Sequence, residues 1–124
     1  MSYSDDFSSS PRFDMQEALK SCMGTVSFVE ELCQVFVRDS LPRFLPGLKQ
    51  GVLDNNFDLI TSNAHGIKGG CAVIGLMRAR DMAYAIEVAS KERKMSRVET
   101  VMPQLEAELE DIVEIIKTGD ISKL

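Results

Sequence analysis

Residues 57–75 read FDLITSNAHGIKGGCAVIG. Within them Ile60, Ala64, Ile67, Cys71 and Ile74 recur at spacings of four, three, four and three, the period of one buried helix face. The composition opposes that period. Gly66, Gly69 and Gly70 sit in mid-segment, each costing a helix about 0.5–1 kcal/mol relative to alanine. Together they forgo roughly 2–3 kcal/mol, a large share of a small domain's net stability. Close helix packing or access to a reactive group must hold those positions.

The helical period extends outward in both directions. A short first helix is expected over about 14–23, with Asp14 as its cap, Phe13 as the preceding staple residue and Gly24 as its stop. A second begins near Thr25 or Ser27, either of which can cap. It continues as a bent helix to about Val52, because Leu41, Leu45, Leu48 and Val52 keep the period past Pro42 and Pro46. Asp54, Asn55 and Asn56 form a turn before the glycine-bearing helix. A fourth helix is expected over 76–92 with Ala79, Met82, Ala83 and Ile86 inward, and a fifth from Ser96 to about Lys117. Ser96 and Glu99 have the spacing of a capping box, and Pro103 should bend the fifth helix. Glu106, Glu108, Glu110 and Glu114 read as solvent-facing, and the run from Lys91 to Lys94 as a solvated helix end whose cations suit the dipole. No alternating stretch supports a sheet. The fold class is all-α: an antiparallel four-helix bundle with a short additional N-terminal helix, over residues 11–124, preceded by a disordered Ser-rich tail over 1–10.

The 124 residues fit one domain. A net charge of −5 and a pI of about 4.9 argue against nucleic acid, which is gripped by clustered Lys and Arg. Cys22, Cys33 and Cys71 are odd in number and form no CxxC pair, so they read as buried thiols rather than a disulfide framework or a zinc site. No long apolar run spans a membrane. The N-terminus lacks the basic and apolar stretches of a signal peptide, so the cytoplasm is the default location. Met1 and the polar lead favour a free-standing chain, and a monomer is the default state.

The single histidine carries the functional reading. At about 100° per residue, His65 falls about 140° from Ile60, outside the apolar sector, with Thr61, Lys68 and Ala72 on its side. The imidazole is therefore expected on the flank or solvent face. Lys68 at i+3 reaches alongside it, and Gly69 at i+4 adds no side chain. A neutral imidazole is a good nucleophile near pH 7. A phosphoryl group on a ring nitrogen would bring close to two negative charges, which a neighbouring ammonium offsets. Glycine nearby leaves room for a donor to approach.

The segment resembles the signature of the histidine-containing phosphotransfer (HPt) domain, His-x-apolar-Lys-Gly-small-small-x-x-apolar-Gly. Here it is filled by His65, Ile67, Lys68, Gly69, Gly70, Cys71, Ile74 and Gly75. The likeness continues through Leu76, Ala79, Met82, Ala83, Ile86 and Glu87, and upstream at Leu41-Pro42, covering about 13–117. It implies a four-helix bundle with His65 as phosphoacceptor, Lys68 as support for the phosphoryl oxygens and Gly69 as the residue that keeps the approach open. Partners would be receiver domains of response regulators or hybrid sensor histidine kinases. They supply the aspartate and the Mg²⁺, and the chain itself would bind no cofactor and act as a phosphocarrier without kinase activity. No nucleotide-binding loop is present in the sequence. Gly70 and Cys71 stand where the family often has serine or alanine. Gly66 stands where many members have a larger side chain, so a looser helix and a more open His65 are expected.

Two other classes compete. A non-catalytic helical interaction module would use the glycines for packing alone, and phosphorylation of His65 separates it from the carrier. An enzyme using His65 as general base would need partner residues and a pocket, and no paired carboxylates lie nearby in sequence.

Overall fold

The computed structural model describes residues 6–124, and among these every regular element is helical. The order is α1 (Met15–Ser21), α2 (Val26–Val35), a π turn (Phe36–Ser40), α3 (Leu41–Leu53), α4 (Phe57–Val73), α5 (Met77–Lys91), α6 (Met95–Lys117) and a closing 3-10 turn (Ile121–Lys123). The short helix α1 precedes four long helical rods, of which α2, the π turn and α3 make the first.

Local chemistry sets the boundaries. Asp14 caps α1 by accepting from the Glu17 N–H at 3.2 Å, and Asn56 caps α4 by accepting from the Leu59 N–H at 3.1 Å. Thr25 takes the N-cap position of α2 but does not cap with its side chain; its hydroxyl instead reaches the Cys22 carbonyl. Pro42 has no N–H to give, and its ring would strike the carbonyl four residues back. The helix accommodates this by widening to a π turn just upstream, where the Leu41 N–H bonds the Phe36 carbonyl, so the rod continues to Leu53.

The expected capping box at Ser96 and Glu99 does not form. The C-terminus of α5 closes with Arg93 at φ 58, the Arg93 N–H on Ser90 and the Lys94 N–H on Ala89. That tight reversal starts α6 one residue earlier, at Met95, and puts Ser96 inside the first turn. Gly75 makes the turn between α4 and α5 at φ 77. Its carbonyl accepts from the Asp14 N–H at 2.8 Å, and a Cβ there would lie 2.4 Å from the Asp14 carbonyl oxygen. No other residue fits that junction.

The five residues of the α4 stripe are all buried. Burying an isoleucine contributes roughly 1.5–3 kcal/mol. Ile60, Ile67 and Ile74 therefore outweigh the helical cost of the three glycines. α4 lies between α3 and α5, and α6 packs on the other side of α5. The neighbours run antiparallel, as contacts between Gly51 and Ile60 and between Phe44 and Gly66 show for α3 and α4.

Glu108 departs from the solvent-facing reading. It is buried, held by the Arg12 guanidinium at 3.0 and 3.1 Å and faced by Arg78 at 3.9 Å. Its partner Arg12 lies 96 residues away in sequence. The expected disordered tail over 1–10 lies, for residues 1–5, outside the described residues. Within 6–10, Ser10 is already docked: its hydroxyl bonds Asp81, and its carbonyl accepts from Arg78 at 3.2 Å.

Candidate functional site

His65 sits on the outer flank of α4 with its side chain 65% exposed, where the helical wheel expects it. Its Nδ1 lies 3.0 Å from Glu87 Oε2 on α5. The Glu87 side chain is only 4% exposed. It also receives the Lys68 ammonium at 2.8 Å on Oε1 and the Lys91 ammonium at 3.2 Å on Oε2. One buried carboxylate thus gathers an imidazole and two cations. Just beyond it, the Thr61 and Ser90 hydroxyls meet at 2.6 Å, locking α4 and α5 in antiparallel register.

Burial pushes the Glu87 carboxyl up. Its contacts with Lys68, Lys91 and His65, and the charge of Lys68, outweigh burial and hold it below its ordinary value of 4.5. Glu87 is therefore ionised at neutral pH and can only accept hydrogen bonds. The ring nitrogen facing it must donate. In neutral His65 the proton then sits on Nδ1 and the lone pair on Nε2. The fold has selected the tautomer.

Lys68 is close to His65, as the i+3 spacing expects, but it is aimed at Glu87 rather than at the ring. It also lies 5.0 Å from the centroid of the Tyr84 ring. Gly69 faces open space, and a Cβ there would meet nothing within 4 Å. The other two glycines differ from it. A Cβ on Gly66 would lie 2.5 Å from the Phe44 ring, and one on Gly70 would lie 3.0 Å from Phe36. Gly66 is thus a seat for an aromatic ring on α3 rather than a loosening of the helix, and the expected openness lies at Gly69 instead. Close packing thus accounts for Gly66 and Gly70, whereas Gly69 packs against nothing.

Glu87 and Lys91 were not singled out as site residues by sequence. A signal for Glu87 existed: it follows Ala79 and Ala83 at i+4 steps on the inward face of its helix, and a carboxylate there needs a partner. Lys91 is not merely a solvated helix end, since it pairs with Glu87 one turn back. The three cysteines are free and buried, and burial pushes the Cys33 thiol up to about 11 and the Cys71 thiol higher still. Neither of those two thiols is a nucleophile at neutral pH. Among the described residues no group of three or more His, Cys, Asp or Glu side chains could hold a metal ion, and no helix is long and apolar enough to cross a membrane.

In a comparison with known families, the model of the Hpt domain fits residues 31–115, more than half of the chain, and spans both His65 and Glu87. No curated protein and no solved structure matches the chain.

Proposed function

The chain belongs to the Hpt domain family, and on that premise we propose that it accepts a phosphoryl group on Nε2 of His65 from a receiver-domain aspartate and passes it to another receiver. Family membership indicates a histidine phosphotransfer role in a phosphorelay, with receiver domains and kinases as the class of partner. The observation that carries the finer reading is the pairing of an exposed imidazole with a buried, ionised carboxylate through Nδ1.

In the proposed step the lone pair of Nε2 attacks phosphorus in line with the aspartyl oxygen. The N–P bond forms, the O–P bond breaks, and the aspartate leaves as a carboxylate. The Nδ1 proton stays in place. The ring gains positive charge as the bond forms, and Glu87 lies 3.0 Å away to stabilise it. Open space over Gly69 lets the receiver's surface come close. The receiver brings its own Mg²⁺, while this chain supplies a positioned nucleophile and binds no cofactor. We take it to work as a monomer in the cytoplasm. The reverse reaction uses the same contacts, because both phosphorylated forms are high in energy.

Transfer of radiolabel from phosphorylated receiver domains tests the proposal. Label that is stable in base and lost in acid should reach the unaltered chain and be absent from His65→Gln. Equal labelling of both would overturn it.

A further inference from the structure

Two lysines share Glu87, and sequence spacing favours the nearer one, Lys68, as the support for a phosphoryl group. We infer instead that Lys91 is the cation that meets the phosphoryl oxygens, and that Lys68 is a positioning residue that holds Glu87 in place. The inference rests on the phosphocarrier reading above and divides the work within that site.

Direction is the first ground. Helical side chains lean toward the N-terminus of their helix, so a residue covers the turn before its own Cα. His65 therefore leans toward Thr61 and Ser62. The recess on that side is lined by Asp58, Thr61, Ser62, His65, Glu87 and Lys91, and Lys68 is not part of its wall. The antiparallel register explains why Lys91 is there: Ser90 touches Thr61, and Lys91 is the next residue.

Freedom to move is the second ground. Lys68 is pinned between Glu87 Oε1 and the Tyr84 ring, with its side chain 26% exposed. The Lys91 side chain is 62% exposed, and its ion pair is with Glu87. Withdrawing Lys68 would leave Oε1 of a buried carboxylate without its ion-pair partner, which is costly. Withdrawing Lys91 would leave Glu87 with both Lys68 and His65.

The third ground is a competition for one oxygen. His65 Nδ1 and Lys91 Nζ both contact Glu87 Oε2. Phosphorylation at Nε2 makes the ring more positive and tightens its hold on that oxygen. Lys91 is the displaceable partner, and the new dianion lies in the recess it already faces. Asp58 and Glu87 are the recess's negative charges, on α4 and α5, so a phosphoryl group there needs a cation. Lys68 stays behind Glu87.

The full chain can be phosphorylated with phosphoramidate, a small donor that needs no receiver, and the phosphoryl group's second ionisation followed by ³¹P NMR. Lys91→Met should raise the midpoint by about half a unit, Lys91→Arg should restore it, and Lys68→Met should move it less than Lys91→Met does. A midpoint that follows Lys68 and ignores Lys91, or that ignores both, would overturn the assignment while leaving the carrier reading standing. No phosphoryl group on His65 of the unaltered chain, from phosphoramidate or from a receiver, would overturn the carrier reading and this inference together.

Discussion

His65 Nδ1 and Glu87 Oε2 lie 3.0 Å apart across 22 residues of sequence and two antiparallel helices. One partner is exposed and the other buried. The bond therefore fixes the ring's orientation and tautomer without taking the ring out of solvent. On the carrier reading proposed above, a receiver's active site would meet a nitrogen already oriented on a rigid helix face.

Replacing Glu87 with Gln keeps the shape and removes the charge. The amide selects no tautomer, and it offers no offset to the ring's positive charge during transfer. Phosphoryl transfer from a receiver should slow by about ten- to a hundredfold, the equivalent of one hydrogen bond to a charged group. Single-turnover label transfer measures it. Transfer at the unaltered rate would show that the carboxylate is only structural.

Acid stability follows from the same group. Glu87's folded-state pKa lies below its ordinary 4.5. Its contribution to stability is fully present above that ordinary value and is lost as pH falls through the lower, folded value. Thermal melts of the unaltered chain and Glu87→Gln should therefore differ most near neutrality, with the gap narrowing below about pH 4.5. A gap that stays constant down to about pH 3 would contradict the assignment.

The mid-helix glycines should answer differently to alanine. Gly69→Ala meets no atom and should raise stability by about 0.5–1 kcal/mol. Gly66→Ala drives a Cβ into the Phe44 ring and should lower stability by about 1–3 kcal/mol. Chemical denaturation separates them. A bulkier change, Gly69→Leu, should keep the fold and block transfer.

Arg12→Ala, just ahead of α1, removes the two-pronged clamp on buried Glu108 of α6. Arg78 stays at 3.9 Å, so the cost should be about 1–2 kcal/mol, below that of a fully orphaned buried charge. Transfer to His65 should be unchanged, since neither Arg12 nor Glu108 contacts the His65 and Glu87 cluster. A large loss of transfer at constant stability would place this network in the site.

The apolar stripe of α4 was legible because one helix carries it, and so was the outward flank of His65, Lys68 and Gly69. Features that depend on two helices were not. Glu87 meets His65 only through the register of α4 and α5, and the same register places Lys91 beside the recess that His65 lines. Glu108 sits in a Glu-rich run whose neighbours are solvated, and only the folded position of Arg12 marks it out. Pro42 gives a local signal to break a helix, but burial of Leu41 and Leu48 on either side favours a rod that absorbs it in a π turn. The glycines look alike in sequence, and only the helix packed opposite each one separates seats for rings from open surface.

The most direct measurement is NMR of the uniformly ¹⁵N-labelled chain after phosphorylation by a receiver. A ¹⁵N–³¹P coupling should appear on Nε2 of His65, with the proton retained on Nδ1 beside Glu87. Coupling on Nδ1, or phosphorus bound to any other residue, would contradict it.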